Sequence, residues 1–305
     1  MAIVIFLVMV LIILISYFRL VYRSLAVDDG RKWSPLVVKI INKLTKPAPA
    51  PAIVPAAEET LTILEGWTVQ DIGQYLARSE QWTSQDFLND VGWPRTDYRS
   101  QSKLPPLTDL SSRYAFLADK PDYYGLEGYL FPDTYRVYAS STIPEIVDKM
   151  LENFDHKLTA KMRVDIKSQQ KTIYEIVTLA SIIEKEAPID YQKNDNREAR
   201  IISGIFWNRL KIGQGLQSDA TLSYIFNDNE PQHSGAQLEV NSPYNTYKYR
   251  DLPPGPICNP GLLAIEAAIY PIATNYYYFL TTPDGQVYYA RTYDEHLQNK
   301  YKYLK

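Results

Sequence analysis

The apolar run from Ala2 to Phe18 constrains this chain more than any other feature, because in seventeen residues it holds one polar side chain, Ser16. A run of that length sits at the lower limit for crossing a bilayer core of about 30 Å, so it is expected to span or insert. It has neither the basic start nor the small-residue cleavage site of a secretory signal, which favours a retained anchor over residues 1–22. Arg19, Arg23, Arg31 and Lys32 all follow the run. Taken alone, that charge bias would place the downstream chain in the cytoplasm. Lys46 to Ala57 (KPAPAPAIVPAA) is almost wholly proline, alanine and branched apolar residues. Proline at this density favours extended backbone, so residues 23–57 are expected to form a semi-rigid stalk. Folded structure is therefore expected from about residue 58 onward.

That remainder has the composition of a folding chain, with 46% hydrophobic and 22% charged residues overall. The formal net charge is -3 and the basic residues form no dense cluster, which sets nucleic acid aside as a partner. The lone cysteine, Cys258, rules out an internal disulfide. His156, His233 and His296 stand far apart, without metal-ligand spacing, so no metal and no cofactor is expected. The 25 tyrosines suit half-buried packing and also stacking on sugar faces.

Leu61 and Ile63 alternate as in a strand, Glu65-Gly66 reads as a turn, and Val69, Ile72 and Leu76 recur at helical spacing. Thr68 with Asp71 three residues later forms a box-like cap for that helix. Further helices are expected over Ser84 to Asp90, Ile143 to Leu158, Thr172 to Ala187, and Arg197 to Lys211, the last closed by Gly213. Pro144 falls at an early helical position, where its missing N–H costs nothing. Tyr276 to Leu280 and Val287 to Ala290, joined by Pro283-Asp284-Gly285, read as a β-hairpin. Helices and strands mix without a repeating βα alternation, so the fold class is expected to be α+β.

Chemistry concentrates in the helix Ile173 to Ala187 (IYEIVTLASIIEKEA). A helical wheel puts Ile173, Ile176, Ala180, Ile183 and Ala187 on one broad face, and Glu184 falls inside that arc. A carboxyl on an apolar face loses solvation of its charged form, its pKa rises, and it can donate a proton near neutral pH. Glu186 projects toward Glu175 and Leu179 and reads as better hydrated. The wheel leaves open a Glu184 paired with a basic residue from a neighbouring helix.

Six stretches in this order resemble one known family: GLEGYLFPDTY (Gly125 to Tyr135), LASIIEKEA (Leu179 to Ala187), IFWNRLKIGQGLQSDAT (Ile205 to Thr221), YNTY (Tyr244 to Tyr247), DLPPGPICNPG (Asp251 to Gly261) and TYDEHLQN (Thr292 to Asn299). The family is that of the endolytic murein transglycosylases, the YceG-like or MltG family. The resemblance implies a catalytic domain of mixed α/β structure over residues 120–305, and a small LysM-like subdomain with its connecting segment over 58–119. It implies cleavage of the MurNAc-GlcNAc β-1,4 bond inside peptidoglycan glycan strands, leaving 1,6-anhydro-MurNAc ends, in a lyase reaction. The first Glu of the EKE motif, here Glu184, is implied as the catalytic residue. Glu186, Asn208, Gln217, Ser218, Asp219, Tyr244, Asn245 and Thr246 are implied as cleft-lining, substrate-binding residues. Asp219, Asp133, Glu127 and Glu186 stand as alternatives for a second carboxylate, while Asn208 with Arg209 could instead fix a helix end. The resemblance further implies a single-pass cell-membrane protein with its catalytic domain outside the cytoplasm, acting on nascent strands beside cell-wall synthases. These motifs outweigh the charge bias after the apolar run. A hydrolytic muramidase and a non-catalytic peptidoglycan-binding scaffold are the competing readings.

Overall fold

A computed structural model of the chain describes residues 57–304 apart from 229, 231 and 232, and, before residue 57, Met9, residues 12–17, Arg19, Pro35, Lys39, Ile40 and Lys43. Two compact units are distinguished, Met1–Pro55 and Ala56–Lys305. In the first, residues 12–17 are helical and exposed. The expected anchor over 1–22 and stalk over 23–57 lie largely outside the described residues. Among the described residues, no helix is long and apolar enough to cross a membrane.

The second unit opens with β1 (Glu58–Thr62), a turn at Gly66 with φ +77°, and α1 (Val69–Leu76). The expected cap is present: the Asp71 N–H donates to Thr68 Oγ1 at 3.1 Å and the Thr68 N–H to Asp71 Oδ2 at 2.9 Å. Helix α2 (Ser84–Val91) packs on α1. After an irregular stretch, β2 (Thr134–Tyr138) returns antiparallel to β1, with Leu61 opposite Tyr135. Residues 58–119 and 120–305, expected as successive segments, thus share a sheet and one continuous core.

Helices α3 (Ile143–Lys157), α4 (Ala160–Ser168), α5 (Ile173–Glu186), α6 (Arg197–Lys211) and α7 (Asp219–Phe226) follow, then the single turn α8 (Gly235–Leu238) and α9 (Leu262–Ile269). The hairpin β3 (Tyr278–Thr281) with β4 (Val287–Ala290) and the helix α10 (Tyr293–Tyr303) close the chain. Among the described residues helices dominate two separate two-stranded sheets, as α+β requires.

Helix α5 lies at the centre, packed against α4, α6, α7 and most extensively α9. Every residue from Ile176 to Ile183 is buried, so this helix is enclosed all round. The wheel expected one buried face and one wetter edge. Leu179, assigned to that edge, is 0% exposed. A helix whose polar residues cluster at its two ends can be surrounded along its whole middle, and the period-3.6 pattern then carries no information about hydration.

Candidate active site

The last turn of α5 presents two carboxyl groups to two different surroundings. Glu184 is half-buried, and its Oε2 accepts a hydrogen bond from the Tyr191 hydroxyl at 2.5 Å and one from the Gly261 N–H at 3.0 Å. Burial raises its pKa above the usual carboxyl value; the bonds from Tyr191 and Gly261 work against that, and the neighbouring Glu65 adds to it. The ion pairs among the described residues do not include Glu184, so the salt-bridged alternative is not the arrangement adopted.

A strap from Pro253 to Gly261 builds one wall. It runs alongside α5 and is pinned to it in register: the Tyr174 hydroxyl donates to Pro254 O, the Ile257 N–H to Ser181 Oγ at 2.9 Å, and the Gly261 N–H to Glu184. Residues 255–261 are buried throughout. Prolines at 253, 254, 256 and 260 have no N–H, so the strap enters the core with few donors to satisfy. Glycine at 261 leaves room for the two side chains beside it, because a Cβ there would stand 2.4 Å from the Tyr191 hydroxyl and 2.7 Å from Glu65 Cγ and would displace both. Gly128 of the GLEGYLF stretch, at φ +90°, meets the same strap from the other side, where a Cβ would lie 2.5 Å from Pro256 Cβ.

The turn before α1, hydrogen-bonded to the strap, also borders the site. A Cβ built on Gly66 would lie 3.6 Å from Glu184 Cγ. The exposed Glu65 beside it, Tyr191 and Gly261 are the neighbours of Glu184 that sequence reasoning missed. Periodicity could not reveal them, since each comes from a different loop.

Glu186 is more enclosed than its expected hydrated position allows. Its Oε1 accepts from the Ser218 hydroxyl at 2.5 Å and the Ala220 N–H at 3.4 Å, at the start of α7, where a helix end favours negative charge. Burial nevertheless pushes its pKa up. Ser218, Thr246 and Thr221 support it: the Ser218 N–H donates to Thr246 Oγ1 at 3.0 Å, and the Thr246 and Thr221 hydroxyls stand 3.0 Å apart.

Of the residues expected to line a cleft, this structure therefore gathers Glu186, Ser218, Asp219 and Thr246 with Gln217 into one cluster. Gln217 is exposed, at φ +49°, with its N–H on Thr246 O. Asp219 is partly exposed beside His233. Asn208 and Asn245 are employed otherwise. The Asn208 amide donates to Thr274 O and Tyr276 O, and that of Asn245 to Leu238 O and Val240 O. Both hold loops in place, and Arg209 does likewise through Tyr277 O and Leu216 O. Tyr244 is 7% exposed and packs on Tyr224 with ring centroids 5.1 Å apart.

The other carboxylate candidates lie elsewhere. Asp133 is bonded to Asn153 and paired with Lys157. Glu127 is 9% exposed and accepts from the Val69 N–H at 2.9 Å, Asn259 Nδ2 at 3.3 Å and the Tyr224 hydroxyl at 3.2 Å. Burial lifts its pKa to about 8. Among the described residues no group of three or more His, Cys, Asp or Glu side chains could hold a metal ion.

Residues 36–302 match the YceG-like family. Endolytic murein transglycosylases from two Streptococcus pneumoniae strains are 34% identical over 251 residues, which is 79% of this chain and 44% of theirs. The chain thus spans less than half the length of those relatives. An endolytic murein transglycosylase of Bacillus subtilis is 31% identical over 265 residues, covering 87% of this chain and 69% of its own. The crystal structure of a YceG-like protein from Listeria monocytogenes superposes with a TM-score of 0.65 at 31% identity, over 86% of this chain and 80% of that one. With its motifs in order and its fold shared, this chain belongs to the YceG-like family.

Proposed function

We propose that the chain is an endolytic peptidoglycan lytic transglycosylase in which Glu184 serves as both acid and base. The observation that carries this reading is a half-buried carboxyl, in no ion pair among the described residues, whose Oε2 is held by Tyr191 and Gly261. Burial raises the pKa of such a group and so favours its protonated form, and its two donors fix its orientation. Protonated Glu184 gives its proton to the glycosidic oxygen as the bond from muramic C1 breaks and the electron pair passes to that oxygen. The C6 hydroxyl of the same sugar then attacks C1, and the Glu184 carboxylate takes up its proton. The atoms balance without water, and the glutamate ends protonated as it began. An intramolecular nucleophile has a high effective concentration, which is why one carboxyl suffices where most glycosidases need two.

Gln217 and Asp219, the accessible members of the second cluster, are the side chains proposed to meet sugar hydroxyls and N-acetyl groups. The β1–α1 turn, from the LysM-like segment, contributes Glu65. The naming of the relatives as endolytic murein transglycosylases supports the same substrate. A substrate outside the cytoplasm calls for an extracytoplasmic catalytic unit, with the apolar N-terminal run as its membrane anchor and cell-wall synthases as neighbours that supply nascent strands.

Digestion of purified sacculi by the full chain, followed by mass spectrometry of the released glycans, tests the reaction. The expected fragments carry 1,6-anhydro-MurNAc ends from strand interiors. Reducing ends would replace this reading with a hydrolytic muramidase, and intact sacculi with a binding scaffold.

A further inference from the structure

Asn259 of the ICNPG stretch is 0% exposed, and its side chain uses its full hydrogen-bonding capacity. Its carbonyl oxygen accepts from the Gly128 N–H at 3.0 Å and the Leu130 N–H at 2.9 Å. Its amide nitrogen donates to Trp67 O at 2.9 Å and Glu127 Oε1 at 3.3 Å. The backbone of the same residue pairs with the turn before α1: the Asn259 N–H donates to Trp67 O at 2.8 Å, and the Gly66 N–H donates to Asn259 O at 2.9 Å. One side chain and its peptide groups therefore join three segments far apart in sequence.

The strap that carries Asn259 and the turn that it holds both border Glu184. Two residues along the strap, the Gly261 N–H bonds Glu184 Oε2, and a Cβ built on Gly66 of the turn would lie 3.6 Å from Glu184 Cγ. We infer that Asn259 is a positioning residue for the acid and base Glu184, tying the strap that supplies the Gly261 N–H to the Glu65-Gly66 turn beside the carboxyl. This inference rests on the catalytic reading of Glu184. A buried asparagine that merely filled space would not need four side-chain hydrogen bonds, three of them to backbone groups of separate loops.

The groups facing Glu184 are the Tyr191 hydroxyl from the loop after α5, Glu65 from the turn, Cys258 and the Gly261 N–H from the strap, and Lys185 from its own helix. Loosening the strap withdraws the Gly261 N–H, which favours the charged carboxylate, so the protonated form persists to higher pH.

The test is the pH–rate profile of the full chain on isolated glycan strands, for the unaltered protein, Asn259→Ser, Asn259→Asp and, as a reference, Glu184→Gln. Serine is neutral and too short to span the three segments. Aspartate keeps the two acceptor bonds and loses both donors. Each Asn259 variant is expected to lose kcat by roughly 10- to 100-fold, as when a reacting group is misplaced by about 1 Å, with KM within about threefold. The basic limb of the kcat profile is expected to move upward by about half a unit or more. A loss of kcat that tracks only the folded fraction, with the limb unmoved in whichever variant folds, overturns the positioning role, and so does failure of both variants to fold. Cleavage retained by Glu184→Gln would instead overturn the reading of Glu184 itself, so the two failures are distinguishable.

Discussion

Glu184→Gln is expected to leave the fold intact and to slow glycan cleavage by about 10³-fold, within the range that general acid–base groups contribute. Glutamine has the shape of glutamate, and its amide oxygen can still accept from the Tyr191 hydroxyl and the Gly261 N–H. What it cannot do is carry a proton to the glycosidic oxygen or take one from the C6 hydroxyl. The end of α5 should therefore keep its packing while both proton transfers disappear. The check is fragment release from sacculi over time, alongside a thermal melt of the same preparation. Cleavage within tenfold of the unaltered chain would remove Glu184 from the mechanism.

The second large effect concerns stability and arises at Glu127. Its folded-state pKa is about 8 against an ordinary 4.5, because burial penalises the charged carboxylate more than Val69, Asn259 and Tyr224 favour it. Between those two values the folded chain keeps a proton that the unfolded chain has lost. Stability therefore falls as pH rises through that window, and at pH 7 the loss is on the order of 3 kcal/mol. Glu127→Gln removes the titration. The glutamine oxygen keeps the Val69 and Asn259 bonds, and its amide can donate to the Tyr224 hydroxyl, reversing the sense of that bond. Denaturant unfolding at pH 5 and pH 7.5 is expected to show a marked loss for the unaltered chain and a much smaller one for the variant. An identical pH dependence in both would place the titration elsewhere.

What could be read in the sequence was local. The capped helix at Thr68, the helix with its early Pro144, the stop at Gly213 and the β3–β4 hairpin all depend on contacts within a few residues, and each formed as expected. The burial of Glu184 comes with the enclosure of α5 on all sides rather than from the single apolar face the wheel drew, and the groups bonded to its carboxyl are Tyr191 and Gly261. The wheel misjudged Glu186, since the hydration of a helix edge depends on what packs there. Here Ser218 and the start of α7 cover it. Pairing of β1 with β2 and the strap along α5 join residues far apart in the chain, and no periodicity encodes them. The same distance explains Asn208 and Asn245. Polar residues within recognisable motifs suggested sugar contacts, yet their amides face backbone carbonyls that only the folded chain brings near. Gly128 and Gly261 carry the complementary lesson. Their motifs were visible, but the reason for glycine is the close approach of Pro256 in one case and of Tyr191 and Glu65 in the other.

Everything functional here turns on whether one carboxyl keeps its proton when an ordinary glutamate has lost it. Titration of the chain with ¹³C-labelled glutamate carboxyls, followed by NMR and assigned by the signal missing from Glu184→Gln, measures that directly. The account predicts a Glu184 midpoint clearly above the ordinary 4.5. A midpoint at or below that value would show a carboxylate already ionised before substrate arrives, and would contradict it.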